Sequence, residues 1–463
     1  MINIIRKYGV GLIILLVTAY LISFMLYFTP GGKNQNQDAV STADGIDGID
    51  GIDKPGENVK KNKNSRLDFL TPQARKPTAE EAEKYPQMTN LPTLYITFDG
   101  KLSDIQHGIY KNARYTLVYG DAGIYDQPLM LKGRGNYQWG MPKKPYTLKL
   151  AAETSLLGMK SARSWYILGE YIDKTLLRNY LTFKLSAETG LYTLDSRFID
   201  VYFNGKYNGN YFMTESIQIH KNRIDIDPDS EAIFEIEAVY RHGDHSDCVE
   251  MIGGNHHIML AKPTNIDDGL KSENLEKFKD FFKKMQASLS QGYAEYSMYI
   301  DVDSFINWYL VNEFCKNYDS GFTSSCYCYI KNGKLYMGPC WDYHTCYGSQ
   351  IVATCLDPVG FHVKESPWYG ILLKDDIFYR RLCNKWTKLR DDGIFDDFID
   401  SIGKMTNYMS ESIAENFALW PGALKDSGLR GNKSKYTFDD EIDYLINWVE
   451  KRIEWLDAQW YNK

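Results

Sequence analysis

Two carboxylates and a group of cations hold the chemical interest of this 463-residue chain. Asp319 and Asp342 lie in NYDSGFTSSCYCYIKNGKLYMGPCWDYHTCYG, residues Asn317 to Gly348. Asp319 falls at the end of a helical stretch, in a loop before a hairpin. Asp342 follows the second hairpin strand, between Trp341 and Tyr343. Carboxylates delivered by loops at one end of a hairpin can converge on a point. One then suits the role of base or nucleophile positioner and the other that of metal ligand, the division of labour found in phosphoryl transfer. The blander readings are a turn residue at Asp319 and a helix cap at Asp342. A second feature is GRGNYQWGMPKKPYTLKL, Gly133 to Leu150, where three glycines and four cations gather on a turn that leads into a strand. Glycine lets backbone N–H groups approach an anion closely and Arg or Lys supplies charge, so this turn is either a phosphate site or a basic exposed hairpin. It is not a Walker A loop, since GxxxxGK[ST] is missing.

The elements that would position these residues follow from patterning. LPTLYITFD (from Leu91), YTLVYG (Tyr115 to Gly120) and PYTLKL (Pro145 to Leu150) alternate like strands. DKTLLRNYLTFKLSAETG reads as a helix stopped at Gly190. Hairpin turns are expected at Asn204-Gly205 and Asn332-Gly333. Residues Ala232 to Lys262 look strand-like around a His/Gly/Asp-rich loop, Arg241 to Asp247, and FDDEIDYLINWVEKRIEWLDAQW is an amphipathic helix. A strand-rich first half followed by a helix-rich second half predicts an α+β chain with two lobes.

Composition narrows the class. With a net charge of −7, 44% hydrophobic and 24% charged residues, the chain is neither globally disordered nor a multispanning transporter. Its acidic balance argues against nucleic acid as a partner. The 14% aromatic content suits core and strand filling, with a sugar-binding surface as the rarer alternative. Tyr8 to Phe28 holds no charge over 21 positions, long enough to span a hydrocarbon core at about 1.5 Å per residue. Large residues end the run, where a cleaved signal peptide would have small ones. Arg6 and Lys7 precede it and the next cation is Lys33, which places the N-terminus in the cytoplasm and the rest outside. The expected organisation is a cytoplasmic tail (1–7), a single-pass signal anchor in the cell membrane (8–28), a flexible linker (29–90) containing DGIDGIDGID, and one folded unit (91–463).

The motifs RGN-x2-W-x3-KKPY-x-LKL, W-x-ILGEYIDKTLLRN, DVYFNGKYNGNYFMTESI and GPCWDYHTCYG, in this order, resemble the spore coat protein H (CotH) kinase family from about Leu91 to the C-terminal EKRIEWLDAQW. The resemblance implies an atypical protein-kinase-like two-lobed fold that transfers phosphate from ATP, with Mg or Mn, to Ser or Thr of a secreted or surface protein. It implies that Asp319 is the catalytic-loop Asp and Asp342 the metal-binding Asp. Arg134 and Asn136 would lie over the phosphates. Lys149, with Lys144 second, would contact them, and Glu188 would pair with that lysine. Glu215 would sit near the nucleotide base.

Two departures from the family pattern bear on activity. Ser324 stands where ordinary kinases place the Asn that holds a second metal, and His344 stands where Trp-Asp-x-Asp has its second acid. Imidazole in place of carboxylate removes a negative charge and disfavours hard cations. A non-catalytic surface scaffold and a nucleotide transferase on the same fold are therefore alternatives to the kinase. Six of the eight cysteines (Cys315, Cys326, Cys328, Cys340, Cys346 and Cys355) cluster around the same region. Disulfides from Cys326 or Cys328 to Cys340 or Cys346, a zinc site with His344, and plain buried thiols are all open readings.

Overall fold

The computed structural model describes residues 71–241, 248–262, 272–349, 351–425 and 436–463. The segment 8–28 lies outside these residues, and no described helix is long and apolar enough to cross a membrane. The architecture is mixed α and β, with strands concentrated before residue 263 and helices after 272.

Seven strands close into a barrel: β1 (Thr93–Thr97), β2 (Lys111–Tyr119), β3 (Ala122–Gly133), β4 (Tyr146–Thr154), β5 (Ala162–Leu168), β6 (Ser196–Phe203) and β7 (Lys206–Glu215). Their order is β1-β2-β3-β4-β5-β7-β6, and β1 pairs in parallel with β6 to complete the circle. Alternation explains the filling. Tyr146, Leu148 and Leu150 point inward with Trp165, Ile167, Tyr211 and Met213, while the residues between them face out. The Asn204-Gly205 hairpin forms as expected between β6 and β7.

Residues 75–90, expected to belong to the linker, are fastened to this barrel. Arg75 bridges to Gly123, Thr78 caps the short helix Ala79–Lys84, and Thr89 donates to Asp200 at 2.6 Å.

A second sheet has the order β12-β11-β8-β10-β9, made from β8 (Ile233–Ala238), β9 (Val249–Glu250), β10 (His256–Lys262), β11 (Cys326–Lys331) and β12 (Lys334–Met337). Phe234, Ile236, Cys326 and Cys328 turn one face into the main helical core. Period-two alternation puts Glu235, Glu237 and Tyr327 on the other face. The helices Arg178–Thr189, Val302–Cys315, Asp376–Asp391, Ile394–Tyr408 and Phe438–Trp460 supply much of that core, which is rich in buried Trp, Tyr and Phe. The aromatic surplus is therefore mostly interior packing. All eight cysteines are free thiols, so neither the Cys326 nor the Cys328 cross-link is formed, and Cys326 and Cys328 point into the apolar core with Phe234 and Ile236.

Candidate active site

The Val302–Cys315 helix ends at Lys316 in left-handed conformation, and the chain then enters a single 3-10 turn, Tyr318–Gly321, that carries Asp319. The β11–β12 hairpin returns the chain to Trp341 and Asp342. Lys316, Phe322, Ser325, Asp342 and Tyr347 all have positive φ. Non-glycine residues held in this region by their surroundings concentrate at functional sites.

Two buried arginines hold these two loops. Arg452, on the C-terminal helix, donates to the carbonyls of Glu313 and Phe314 at the end of the Val302–Cys315 helix, and pairs with the Glu313 carboxylate at 2.9 Å. Arg178 donates through Nε to the Cys346 carbonyl at 2.8 Å and is ion-paired with Asp173. The loop bearing Asp319 and the loop bearing Asp342 are thus each tied to a helix by a guanidinium that the solvent does not reach.

Asp319 is 9% exposed and pairs with Arg241 Nη1 at 3.4 Å. Burial, then the nearby charge of Asp342, pushes its carboxyl up to about 6, with Arg241 opposing. Asp342 receives His344 Nδ1 at 2.5 Å and the Gln138 amide at 3.3 Å, both on Oδ1. Burial alone would raise Asp342, but His344, followed by Arg134 and Arg241, holds it below the usual carboxylate range. His344 is lowered by burial yet raised overall to about 9, because Asp342 and then Glu170 favour its charged form. At neutral pH the pair is an imidazolium on a carboxylate. Glu170, buried beside it, is pushed up to about 8 by burial and by Asp173; its oxygens accept from Asn179, whose own Oδ1 receives the Tyr343 N–H.

The Gly133–Leu150 turn comes over this pair. Gly133 is required there by close approach, since a Cβ on it would lie 2.3 Å from the Trp139 ring. Arg134 stacks its guanidinium 4.0 Å from the Tyr166 ring centre and 4.8 Å from that of Trp341. Its side-chain N–H groups have no hydrogen-bond partner among the described residues, so a planar donor fork stands beside Asp342. Asn136 is exposed at the tip of the turn.

Other residues singled out by sequence are placed differently. Lys144 donates to the Trp139 carbonyl and lies on that ring, which ties it to its own turn. Its neighbour Lys143 is the buried one. It donates to Asn210 O and Asn416 Oδ1, fastening the turn to the Ser410–Leu419 helix, and burial lowers it to about 7. Lys149 lies on the outer barrel face with its ammonium 5.9 Å from the Tyr110 ring centre. The expected Lys149–Glu188 ion pair does not form: Glu188 pairs instead with Lys184 one turn away at 3.6 Å, on the exposed face of the helix. Glu215 is buried and paired with Arg223 at 2.8 Å, itself stacked on Trp165. Ser324 donates its hydroxyl to Glu237 Oε1 at 3.1 Å, so that contact, rather than a cation, engages it.

Sequence reasoning missed Gln138, Arg241, Glu235 and Glu237. Gln138 had only its place in the glycine-rich turn as a signal, and Arg241 only its place at the edge of a polar loop. Glu235 and Glu237 share a strand face, which alternation does predict. Burial, then Glu237, raises Glu235 to about 8.

The donor set fits one hard cation. Asp342 Oδ2 has no partner among the described residues and the side chain is 30% exposed, so one carboxylate oxygen is left free of protein partners. A second cation does not fit the residues as placed, because Ser324 is engaged by Glu237 and position 344 offers an imidazole already bound to Asp342. No three described His, Cys, Asp or Glu side chains form a cage of their own. That suits an ion held by one or two carboxylates and completed by phosphate and water oxygens, the habit of Mg²⁺.

Comparison with known proteins bears on the family of the chain. A family model described as CotH kinase protein matches residues 131–456, from the glycine-rich turn to the C-terminal helix. Inner spore coat protein H of Bacillus subtilis (strain 168) is 25% identical over 223 residues, which cover 47% of this chain and 58% of that protein. The match thus spans less than two thirds of that relative.

Proposed function

The chain belongs to the CotH kinase protein family, and from that premise we propose that it is an atypical protein kinase transferring the γ-phosphoryl group of ATP to Ser or Thr of a secreted or surface protein. The observation that carries this reading is the meeting of two loop-borne carboxylates, Asp319 and Asp342, under a turn that holds the unpaired Arg134 fork. The two-lobed kinase-like arrangement is part of the proposal, with the barrel and the β8–β12 sheet as the two walls of the nucleotide cleft.

Each residue has a definite task in this reading. Arg134 binds phosphate oxygens with N–H groups that the protein itself leaves open. Asp342 would hold a single Mg²⁺ or Mn²⁺, Oδ2 being the oxygen its neighbours leave open. When bound, that ion neutralises charge developing on the transferred group. Asp319 orients the acceptor hydroxyl and takes its proton, while Arg241 beside it restrains the carboxylate. A base must be ionised to act, so kcat/KM should fall roughly tenfold per pH unit below about pH 6, where Asp319 becomes protonated. A pH profile flat from 5 to 8 would remove Asp319 from that role.

The deciding experiment is labelling by ATP carrying radioactive γ-phosphate, with Mn²⁺ or Mg²⁺ and a Ser/Thr protein acceptor. Label transferred from the α-phosphate instead would make the chain a nucleotide transferase. No nucleotide binding in a thermal-shift titration would leave the scaffold reading, which the His344–Asp342 and Ser324–Glu237 contacts favour. His344→Asp tests that contact directly. Adding a hard carboxylate and removing the competing imidazolium should tighten Mn²⁺ binding by about tenfold in a calorimetric titration with a non-hydrolysable ATP analogue. Unchanged affinity would show that His344 does not compete with the ion. Attachment to a membrane through Tyr8–Phe28 is also proposed, and loss of membrane co-sedimentation on deleting residues 8–28 is its test.

A further inference from the structure

Gln138 is an uncharged residue, buried where two catalytic elements meet. Its position is fixed from the barrel side. Trp139 fills the space over Gly133, Lys144 donates to the Trp139 carbonyl, and the 3-10 turn Gln138–Gly140 is closed by Met141 N–H on Gln138 O at 3.0 Å. From this turn the Gln138 amide donates to Asp342 Oδ1 at 3.3 Å and lies 3.0 Å from His344 Nδ1. Arg134, four residues earlier in the same turn, packs its guanidinium on Trp341, the neighbour of Asp342. The turn therefore grips the Trp341-Asp342 pair at two points, one apolar and cationic, the other a directed hydrogen bond to the carboxylate.

We infer that Gln138 is a positioning residue that couples the two halves of the site. It makes phosphate binding by the Gly133–Pro145 turn and cation binding by Asp342 thermodynamically dependent on each other. The inference rests on the nucleotide-binding reading above. With Oδ1 held by Gln138 and His344, the carboxylate cannot rotate freely, and Oδ2 is the oxygen left free. A phosphate bound by Arg134 stiffens this already fixed turn and, through Gln138, the Asp342 carboxylate. By linkage, an ion on Asp342 favours the same turn position by an equal factor. A cation held at Asp342 would itself attract a bound phosphate, so Gln138 accounts for only part of the total.

The test measures coupling rather than turnover. Binding of a non-hydrolysable ATP analogue is titrated with and without Mn²⁺, and Mn²⁺ binding with and without the analogue, for the wild-type chain, Gln138→Met and Gln138→Ala. The expected wild-type coupling is within the roughly 5- to 150-fold range of linked sites. Both variants should lower that factor toward one, by about three- to tenfold, since one hydrogen bond to the charged carboxylate is lost. Metal-free nucleotide affinity should stay within about twofold and the melting temperature without ligands within a few degrees. A coupling factor unchanged within about twofold overturns the inference. So does an equal loss in every affinity, which would mark a merely structural role. If the wild-type chain binds no nucleotide at all, the proposed function fails together with it, so the two failures are told apart by the wild-type titration alone.

Discussion

Replacing Asp342 by Asn is expected to lower phosphoryl transfer by about 10³-fold, with the fold intact. The magnitude follows from losing metal-borne charge stabilisation of several kcal/mol, at about 1.4 kcal/mol per factor of ten. Asn is the right substitution because Asp342 has φ of 66°, and Asn tolerates the left-handed region where Ala would add strain. The amide still accepts from Gln138 but carries no charge to hold an ion or to favour imidazolium at His344. Initial-rate labelling and a melting curve measure the two halves of the prediction. Activity within tenfold of wild type would mean that Asp342 is not the metal ligand, and the kinase reading would go with it.

Arg452→Met should cost about 3–5 kcal/mol of stability, the penalty for leaving a buried charge without its partner. Both members of the Arg452–Glu313 pair have side chains with 0% exposure, and the guanidinium also serves the carbonyls of Glu313, Phe314, Pro358 and Gly360. Glu313 in turn accepts the backbone N–H groups of His362 and Val363. Denaturant titration of the folded chain reads the loss directly. The double variant Arg452→Met with Glu313→Gln should recover part of it, since no unpaired charge then remains buried. A single-variant loss below about 1 kcal/mol would show that the pair is solvated in solution. Because Arg452 holds the end of the helix leading to Asp319, the surviving folded fraction should also lose activity.

The sequence reveals one of these two residues and hides the other. Asp342 announced itself through Trp-Asp-Tyr after a hairpin with an Asn-Gly turn. Arg452 sat unremarked in an amphipathic helix, where a cation normally means a solvated face. The same contrast separates Lys143 from Lys144: adjacent identical residue types, of which the barrel edge buries the first against Asn210 and Asn416 and leaves the second on Trp139. Glu188 fails as the partner of Lys149 for a related reason. Helical periodicity gives its place along the helix, but the side of the helix that meets the barrel is set by tertiary packing, and Glu188 is on the other.

Several strands, the two Asn-Gly hairpins, the helix ending at Gly190, the C-terminal helix and the order of the family motifs are legible in the sequence itself, because turn chemistry and hydrophobic period act locally; β3, β5 and the short helix Ala79–Lys84 are not. The sequence also singles out Asp319 and Asp342 as candidates and shows serine and histidine at positions 324 and 344. Only the tertiary structure decided who touches whom across long separations. It brought Gln138 to Asp342 over 204 positions, Arg452 to Glu313 over 139, and Ser324 to Glu237 over 87. Those contacts depend on how the barrel, the sheet and the helices pack, and burial converts them into strong effects by stripping away water. That is why His344, which the sequence offered only as a missing acid, becomes in the folded protein a cation bound to the carboxylate on which the proposed chemistry depends.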